Sequence, residues 1–275
     1  MISMYSCIDD ITIDTQDGPE LVGIEGFITN EYKKHQIVLS KTADFYSTDD
    51  IEMISDAEVI VYDGFDTICF EETAEKGHYE TVDCLAGETG RTYSLYVNIV
   101  DEDGLHNYYA QSVMKANTPQ IDSLIVKDIV MGGMNLNTKG LYAYFQSNAD
   151  PSTNYIVNVA INDSLLNESL VKSMPYSLGG AAGLYVNGPE FIKMFGELPL
   201  YVFNYGFPLH EGDTISMYLY SVTPEFAQYI SDISGNIGSN PMMGMPHNVS
   251  TNIYPQGKAV GFFEATSVAK SAVLY

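Results

Sequence analysis

The sequence predicts an all-β protein with one or two short helices: an N-terminal immunoglobulin-like β-sandwich followed by a second β-rich domain of sandwich type. Three observations predict it. Residues 92–99 alternate Tyr93, Leu95, Val97 and Ile99 with Thr92, Ser94, Tyr96 and Asn98, the period of two of a strand with one buried face. Asp63-Gly64 and Asp103-Gly104 each lie between a pair of such segments and tolerate positive φ, so both read as hairpin turns. The charge is uneven: residues 1–117 carry 24 acidic and 6 basic side chains, a net of −18, whereas 118–275 carry 12 and 6, a net of −6. A domain boundary is expected where that density drops.

Taken in order, residues 1–18 are acidic and unpatterned and read as a tether. Residues 19–117 hold seven short strands, at 21–30, 36–41, 58–62, 67–70, 79–82, 92–99 and 106–113, with turn residues between them, the count of an immunoglobulin-like sandwich. Asn117-Thr118-Pro119 marks the boundary, since proline after a polar pair ends a strand and suits a linker. Residues 118–275 form the second domain, with strands at 141–147, 155–161 and 214–221. A helix over 224–234 has Thr223 to cap it, Pro224 in its first turn, Gly235 at its end, and Phe226, Tyr229, Ile230 and Ile233 at helical spacing. That stripe reads as core. Residues 177–188 and 235–246 read as loops.

At 275 residues the chain exceeds the roughly 100–200 of one domain, and 45% hydrophobic against 17% charged residues is the balance of a packed protein. A net charge of −24 repels nucleic acid and anionic membrane surfaces, so nucleic-acid binding is set aside. No run approaches the ~20 apolar residues of a membrane-spanning helix, which leaves a lipid anchor as the expected contact with a membrane. Cys7 follows a small residue, Ser6, and precedes the acidic Asp9-Asp10, as at the end of a bacterial lipoprotein signal; an ordinary terminal cysteine is the alternative. Residues 1–7 are too few for a secretory signal, so a longer leader is expected ahead of them. Cys69 and Cys84 flank the turn at 73–77, which leaves both a disulfide and two separate thiols open.

Seven stretches, in matching order along the chain, resemble a family of Bacteroidota envelope lipoproteins catalogued as domain-of-unknown-function family 4249. They are Ile24-Glu25-Gly26-Phe27-Ile28-Thr29-Asn30, Leu39-Ser40-Lys41-Thr42-Ala43-Asp44-Phe45-Tyr46, Gly90-Arg91-Thr92-Tyr93-Ser94-Leu95, Pro119-Gln120-Ile121-Asp122-Ser123-Leu124, Gly212-Asp213-Thr214-Ile215, Thr251-Asn252-Ile253 and Gly261-Phe262-Phe263. The resemblance implies lipid anchoring at Cys7, an outer-membrane location on a face left open, and an accessory role beside a TonB-dependent outer-membrane transporter. It implies no catalytic residues.

The residues themselves offer little chemistry. His35, His78, His106, His210 and His247 lack paired metal-ligand spacing. With 36 acidic side chains, a carboxylate pair at glycosidase distance arises by chance. Asp101-Glu102-Asp103-Gly104 fits a hairpin turn better than a calcium loop, whose downstream ligands are missing. Gly179, Gly180, Gly183 and Gly188 lack the Lys-Ser or Lys-Thr of a phosphate cradle. Met242, Met243, Met245 and His247 form a weak candidate for Cu(I), against methionine's ordinary use in adaptable packing. Tyr142, Tyr144, Tyr218 and Tyr220 fall on the non-core side of their strands and are candidates to stack on sugar rings.

The expectation is therefore a non-enzymatic, cofactor-free envelope lipoprotein that binds another envelope protein such as a TonB-dependent transporter. A carbohydrate-binding or adhesive module is the alternative, tested by exposure of those tyrosines. An envelope hydrolase ranks third and requires a deep pocket with polar groups of shifted pKa.

Overall fold

A computed structural model describes residues 20–43, 50–115, 118, 120–131, 134–145, 154–166, 201–203, 208–237 and 248–275. The described residues are mainly β, with fourteen strands and one helix, a sandwich-type architecture in which the sheets do not close. The first half holds β1 (Val22–Thr29), β2 (Gln36–Lys41), β3 (Glu58–Tyr62), β4 (Thr67–Glu72), β5 (His78–Thr81), β6 (Thr92–Asp101) and β7 (Gly104–Val113). They lie side by side in the order β1-β2-β5-β4-β3-β6-β7, each pair antiparallel.

Both predicted hairpins form. Gly64 and Gly104 take φ of +96° and +123°, the backbone that an Asp-Gly turn requires. At the second, Asp101 Oδ1 accepts the Asp103 and Gly104 amides at 2.9 and 3.1 Å, so this carboxylate is spent on the turn. Alternation works as expected: Tyr93, Leu95, Val97 and Ile99 all point into a core shared with Ile24, Ile37, Val59, Phe70 and Tyr79.

The second half adds β8 (Ile121–Met131), β9 (Met134–Phe145), β10 (Asn154–Ile161), β11 (Ser164–Leu165), β12 (Tyr201–Phe203), β13 (Thr214–Val222), helix α1 (Pro224–Ile237) and β14 (Ala259–Leu274). A three-stranded sheet, β12-β9-β8, contributes Leu124, Leu141 and Phe203 to a core with Tyr155, Ile215, Met217 and Leu219. Helix α1 covers the other face of β13, packing Phe226, Tyr229 and Ile230 on Ile156, Tyr220 and Phe262. Thr223 Oγ1 accepts the Phe226 amide at 3.2 Å, the cap the sequence predicts.

β14 joins the halves. Residues 259–266 pair parallel with β1, and 267–274 pair antiparallel with β13, so one eleven-stranded sheet runs β11-β10-β13-β14-β1-β2-β5-β4-β3-β6-β7. Phe263 and Ala265 lie in the first half's core and Phe262 in the core under α1. Gly261, at φ +94°, lets β14 approach β1: a Cβ there would stand 2.2 Å from the Ile24 carbonyl oxygen. Thr118, the described residue of the stretch read as a boundary, is tied into this join. Thr118 Oγ1 is hydrogen-bonded to Ser267 Oγ and accepts from Ser221 Oγ at 2.9 Å.

Two side-chain amides complete the hydrogen bonding of β14. Asn30 Oδ1 accepts the Val268 amide at 2.7 Å and its Nδ2 donates to the Val268 carbonyl at 3.4 Å. Asn252 does the same at Phe263, accepting at 3.1 Å and donating at 2.7 Å. An amide side chain carries one donor and one acceptor in the arrangement of a peptide group, so each Asn stands in for a neighbouring strand. Both residues belong to the stretches that carry the family resemblance.

Candidate functional site

The residues singled out in the sequence scatter. Cys7 and the Met242, Met243, Met245 and His247 group lie outside the described residues, as does the glycine-rich stretch at 179–188. The Val82 amide donates to the Cys69 carbonyl at 3.2 Å, so Val82 stands opposite Cys69 and Cys84 lies two residues beyond. That register keeps the thiols apart, and both cysteines are free and exposed.

The four tyrosines do not form a sugar platform. Tyr142 and Tyr220 are buried, and Tyr144 and Tyr218 half-buried. For Tyr218 and Tyr220 the reason is that β13 is covered on both faces, by the three-stranded sheet on one and α1 on the other, so its non-core side is a second core. Burial pushes the Tyr220 hydroxyl far above its ordinary pKa. Lys127 Nζ lies 4.2 Å over the Tyr142 ring and Lys270 Nζ 4.8 Å over Tyr218.

An exposed aromatic row exists elsewhere, on the solvent face of the first half. Residues opposite one another in paired strands share a face, and the register sets Tyr254 beside Tyr109, Tyr109 beside Tyr96, Tyr96 beside Ile60 and Ile60 beside Cys69, with Val82 next. At ~4.8 Å per strand this stripe spans about 24 Å. Tyr254, Tyr96 and Val82 are 55%, 39% and 45% exposed, and Tyr109 and Ile60 are half-buried. The Tyr96 and Tyr109 rings are tilted with centroids 5.2 Å apart. In the flanking rows Asn98 stands between Asn107 and Glu58, its Nδ2 donating to Glu58 Oε2 at 2.7 Å, and on the other side Gln111 Nε2 donates to the buried Ser94 Oγ at 3.2 Å.

The stripe ends in a cleft of about 670 Å³, within the ~300–1,000 Å³ of small-molecule sites. Its walls are the outward side of β7, the start of α1 and the segment 250–254 ahead of β14. Most lining residues bear a hydroxyl or amide, yet the surface they and their neighbours expose is mainly apolar, with Lys115 and Glu225 as the charged lining groups; no histidine or cysteine lines it among the described residues.

Behind the wall sits Glu264, fully buried in the middle of β14. Its Oε1 accepts the Thr223 amide at 2.6 Å, and its Oε2 is bonded to Thr223 Oγ1 at 2.8 Å and Ser112 Oγ at 2.9 Å. Burial pushes the carboxyl up to about 8, against the hydrogen bonds from Thr223 and Ser112, which pull it down. In a capping box the acid at the third helical position holds the cap residue's amide; here Phe226 occupies that position and Glu264 does the task from another strand. Ser112 in turn accepts the Ala265 amide at 2.9 Å, so the group binds β7, β14 and α1 together.

The hydrolase criterion, a cleft near a carboxyl of shifted pKa, is thus met in outline. Yet every Glu264 oxygen is engaged by protein donors behind Ser112 and Thr223, which suits a structural acid. His35 is likewise buried: its Nδ1 accepts the Thr29 amide at 3.4 Å, its Nε2 faces the Leu85 carbonyl at 3.0 Å, and burial lowers its pKa.

No described helix is long and apolar enough to cross a membrane. No curated protein matches the chain. A family model described as a domain of unknown function, DUF4249, matches residues 8–272, almost the whole length and in agreement with the stretches at 24–30, 251–253 and 261–263 that build the β14 join. The chain belongs to that family.

Proposed function

We propose that this protein is a non-catalytic, lipid-anchored binding protein of a bacterial cell envelope, acting beside a TonB-dependent outer-membrane transporter. The observation that carries the binding reading is the aromatic stripe running into the cleft. A chain of net charge −24 that leaves Tyr254, Tyr96 and Val82 on one continuous outer row presents apolar surface that its own folding does not use. Recognition needs such a surface and a cleft beside it; turnover needs a free nucleophile, base or metal, and the one strongly perturbed carboxyl among the described residues is already fully bonded. The envelope location and the transporter rest on the family resemblance, with Cys7 as the acylated residue.

The test is affinity purification from native envelope of the tagged chain, expressed with a lipoprotein leader ahead of Cys7, with Cys7→Ala beside it. Recovery of a specific transporter with the wild type, and loss of both membrane fractionation and transporter with Cys7→Ala, is the expected result. Background proteins alone, or unchanged membrane association of the variant, overturns the reading.

A further inference from the structure

We infer that the cleft and the stripe bind a neutral oligosaccharide, seated in the cleft against Tyr109 and Tyr254 and extending outward along Tyr96. This rests on the binding reading above and names its ligand.

Three features select that chemistry. The first is spacing: Tyr109 lies between Tyr254 and Tyr96 in direct cross-strand register, and the Tyr96 and Tyr109 centroids are 5.2 Å apart, about the length of one pyranose ring. A sugar presents one face of C–H bonds to an aromatic ring while its hydroxyls point to the sides. The second is what stands at those sides. Exposed Asn107 flanks the stripe along one edge and exposed Gln111 along the other; Asn98 Nδ2 is held by Glu58 and Gln111 Nε2 by Ser94, so the Asn107 amide and the Asn98 and Gln111 amide oxygens are the groups offered to a ring of hydroxyls. Inside the cleft Ser250 and the amide oxygen of Gln228 continue this, the Gln228 Nε2 being held by Asp232 Oδ1 at 2.7 Å.

The third is charge. The start of α1 turns toward the cleft, yet it carries Glu225 and its cap amide is held by Glu264, so a ligand anion meets acid where a helix would otherwise favour it. The whole chain carries −24, which repels polyanionic glycans at long range. A flat apolar partner would leave the amide rows without hydrogen bonds, and a charged one would find a single lysine, Lys115, in the lining. An uncharged polyhydroxylated chain meets both requirements.

The experiment screens the purified full chain against an array of neutral glucans, mannans, galactans, xylans and chito-oligosaccharides, with uronic-acid and sulfated glycans as the acidic arm, followed by titration calorimetry on hits. The proposal expects at least one neutral class to bind. Tyr254→Ala and Tyr109→Ala weaken it roughly tenfold or more, and Tyr96→Ala weakens only longer oligomers. Tyr32→Ala, which removes a tyrosine 78% exposed and off the stripe, leaves binding unchanged. Circular dichroism and melting of each variant check that the fold persists.

Absence of neutral glycan binding, binding restricted to acidic glycans, or full affinity in the Tyr109→Ala/Tyr254→Ala double variant overturns the proposal. The transporter co-purification separates its failure from that of the parent reading. Should the double variant lose the transporter while no glycan binds, the stripe is a protein interface; the glycan inference falls and the envelope reading stands.

Discussion

Glu264 and His35 are two described residues whose burial gives stability a pH dependence of known sign on the acid side of the tyrosine range. The Glu264 carboxyl titrates near 8 in the folded chain and near its ordinary value of 4.5 unfolded, so the folded state holds the extra proton between these values. Its contribution is fully present below 4.5 and is lost as pH rises to 8, by an amount on the order of a few kcal/mol. Glu264→Gln keeps an acceptor for the Thr223 amide and removes the titration. Urea unfolding at pH 5.5, 7.0 and 8.5 is expected to show the wild type losing stability across the series and the variant staying nearly level; parallel losses in both would rule out this role. His35 runs the other way. Its folded form is neutral with a lowered pKa, so its contribution is lost as pH falls below 6.5, where only the unfolded imidazole takes a proton. His35→Gln should flatten the acid limb between pH 6.5 and 5, read by the same titration. A lone Glu within the mainly apolar run at 259–269 is a sequence signal for a partnered buried acid, one that a count of 36 carboxylates passes over.

Among the elements, β14 depends on side chains more than its neighbours do, because Asn30 and Asn252 supply bonds that a strand would otherwise supply. Asn252→Ala leaves the Phe263 amide and carbonyl without those partners and should cost about 2–4 kcal/mol, whereas alanine at exposed Asn107 should cost under about 0.5 kcal/mol. Thermal denaturation of both variants decides this. Gly261→Ala forces a Cβ onto the Ile24 carbonyl and should destabilise by about 2 kcal/mol or more, with hydrogen exchange rising first along β1 and β14. Elements with one wet face were foretold closely: β2 and β3 match the predicted 36–41 and 58–62, and α1 extends the predicted 224–234 to 237. β8, β11, β12 and β14 escaped prediction. For β14 the reason is burial on both faces over residues 262–267, which replaces alternation with a continuous run.

At the scale of the molecule, shared use of β14 makes the two halves interdependent. Its Phe263 and Ala265 fill one core while Phe262 fills another, and Ala269 and Val273 pack on a third. Unfolding followed by tyrosine fluorescence and by far-ultraviolet circular dichroism is therefore expected to give coincident transitions, and resolved midpoints would show the halves to be independent. For the same reason a binding surface on this protein is better mapped by point substitutions such as Tyr254→Ala than by deleting a half, which would open the cores that β14 shares.

Period-two patterns, Asp-Gly turns and the Thr223-Pro224 cap are local, so the sequence by itself determined the β class, seven strands of the first half, the helix and the family. It also placed Tyr96 on the non-core side of its strand. Tertiary structure alone decided which non-core sides meet water: α1 covers Tyr220, whereas nothing among the described residues covers Tyr96. It also decided that residues 259–266 return to pair with 22–29, bringing Glu264, Ser112 and Thr223 together across more than a hundred residues of chain. A strand's own pattern records that one face is apolar, but its partner is chosen by shape and hydrogen bonding summed over the whole fold.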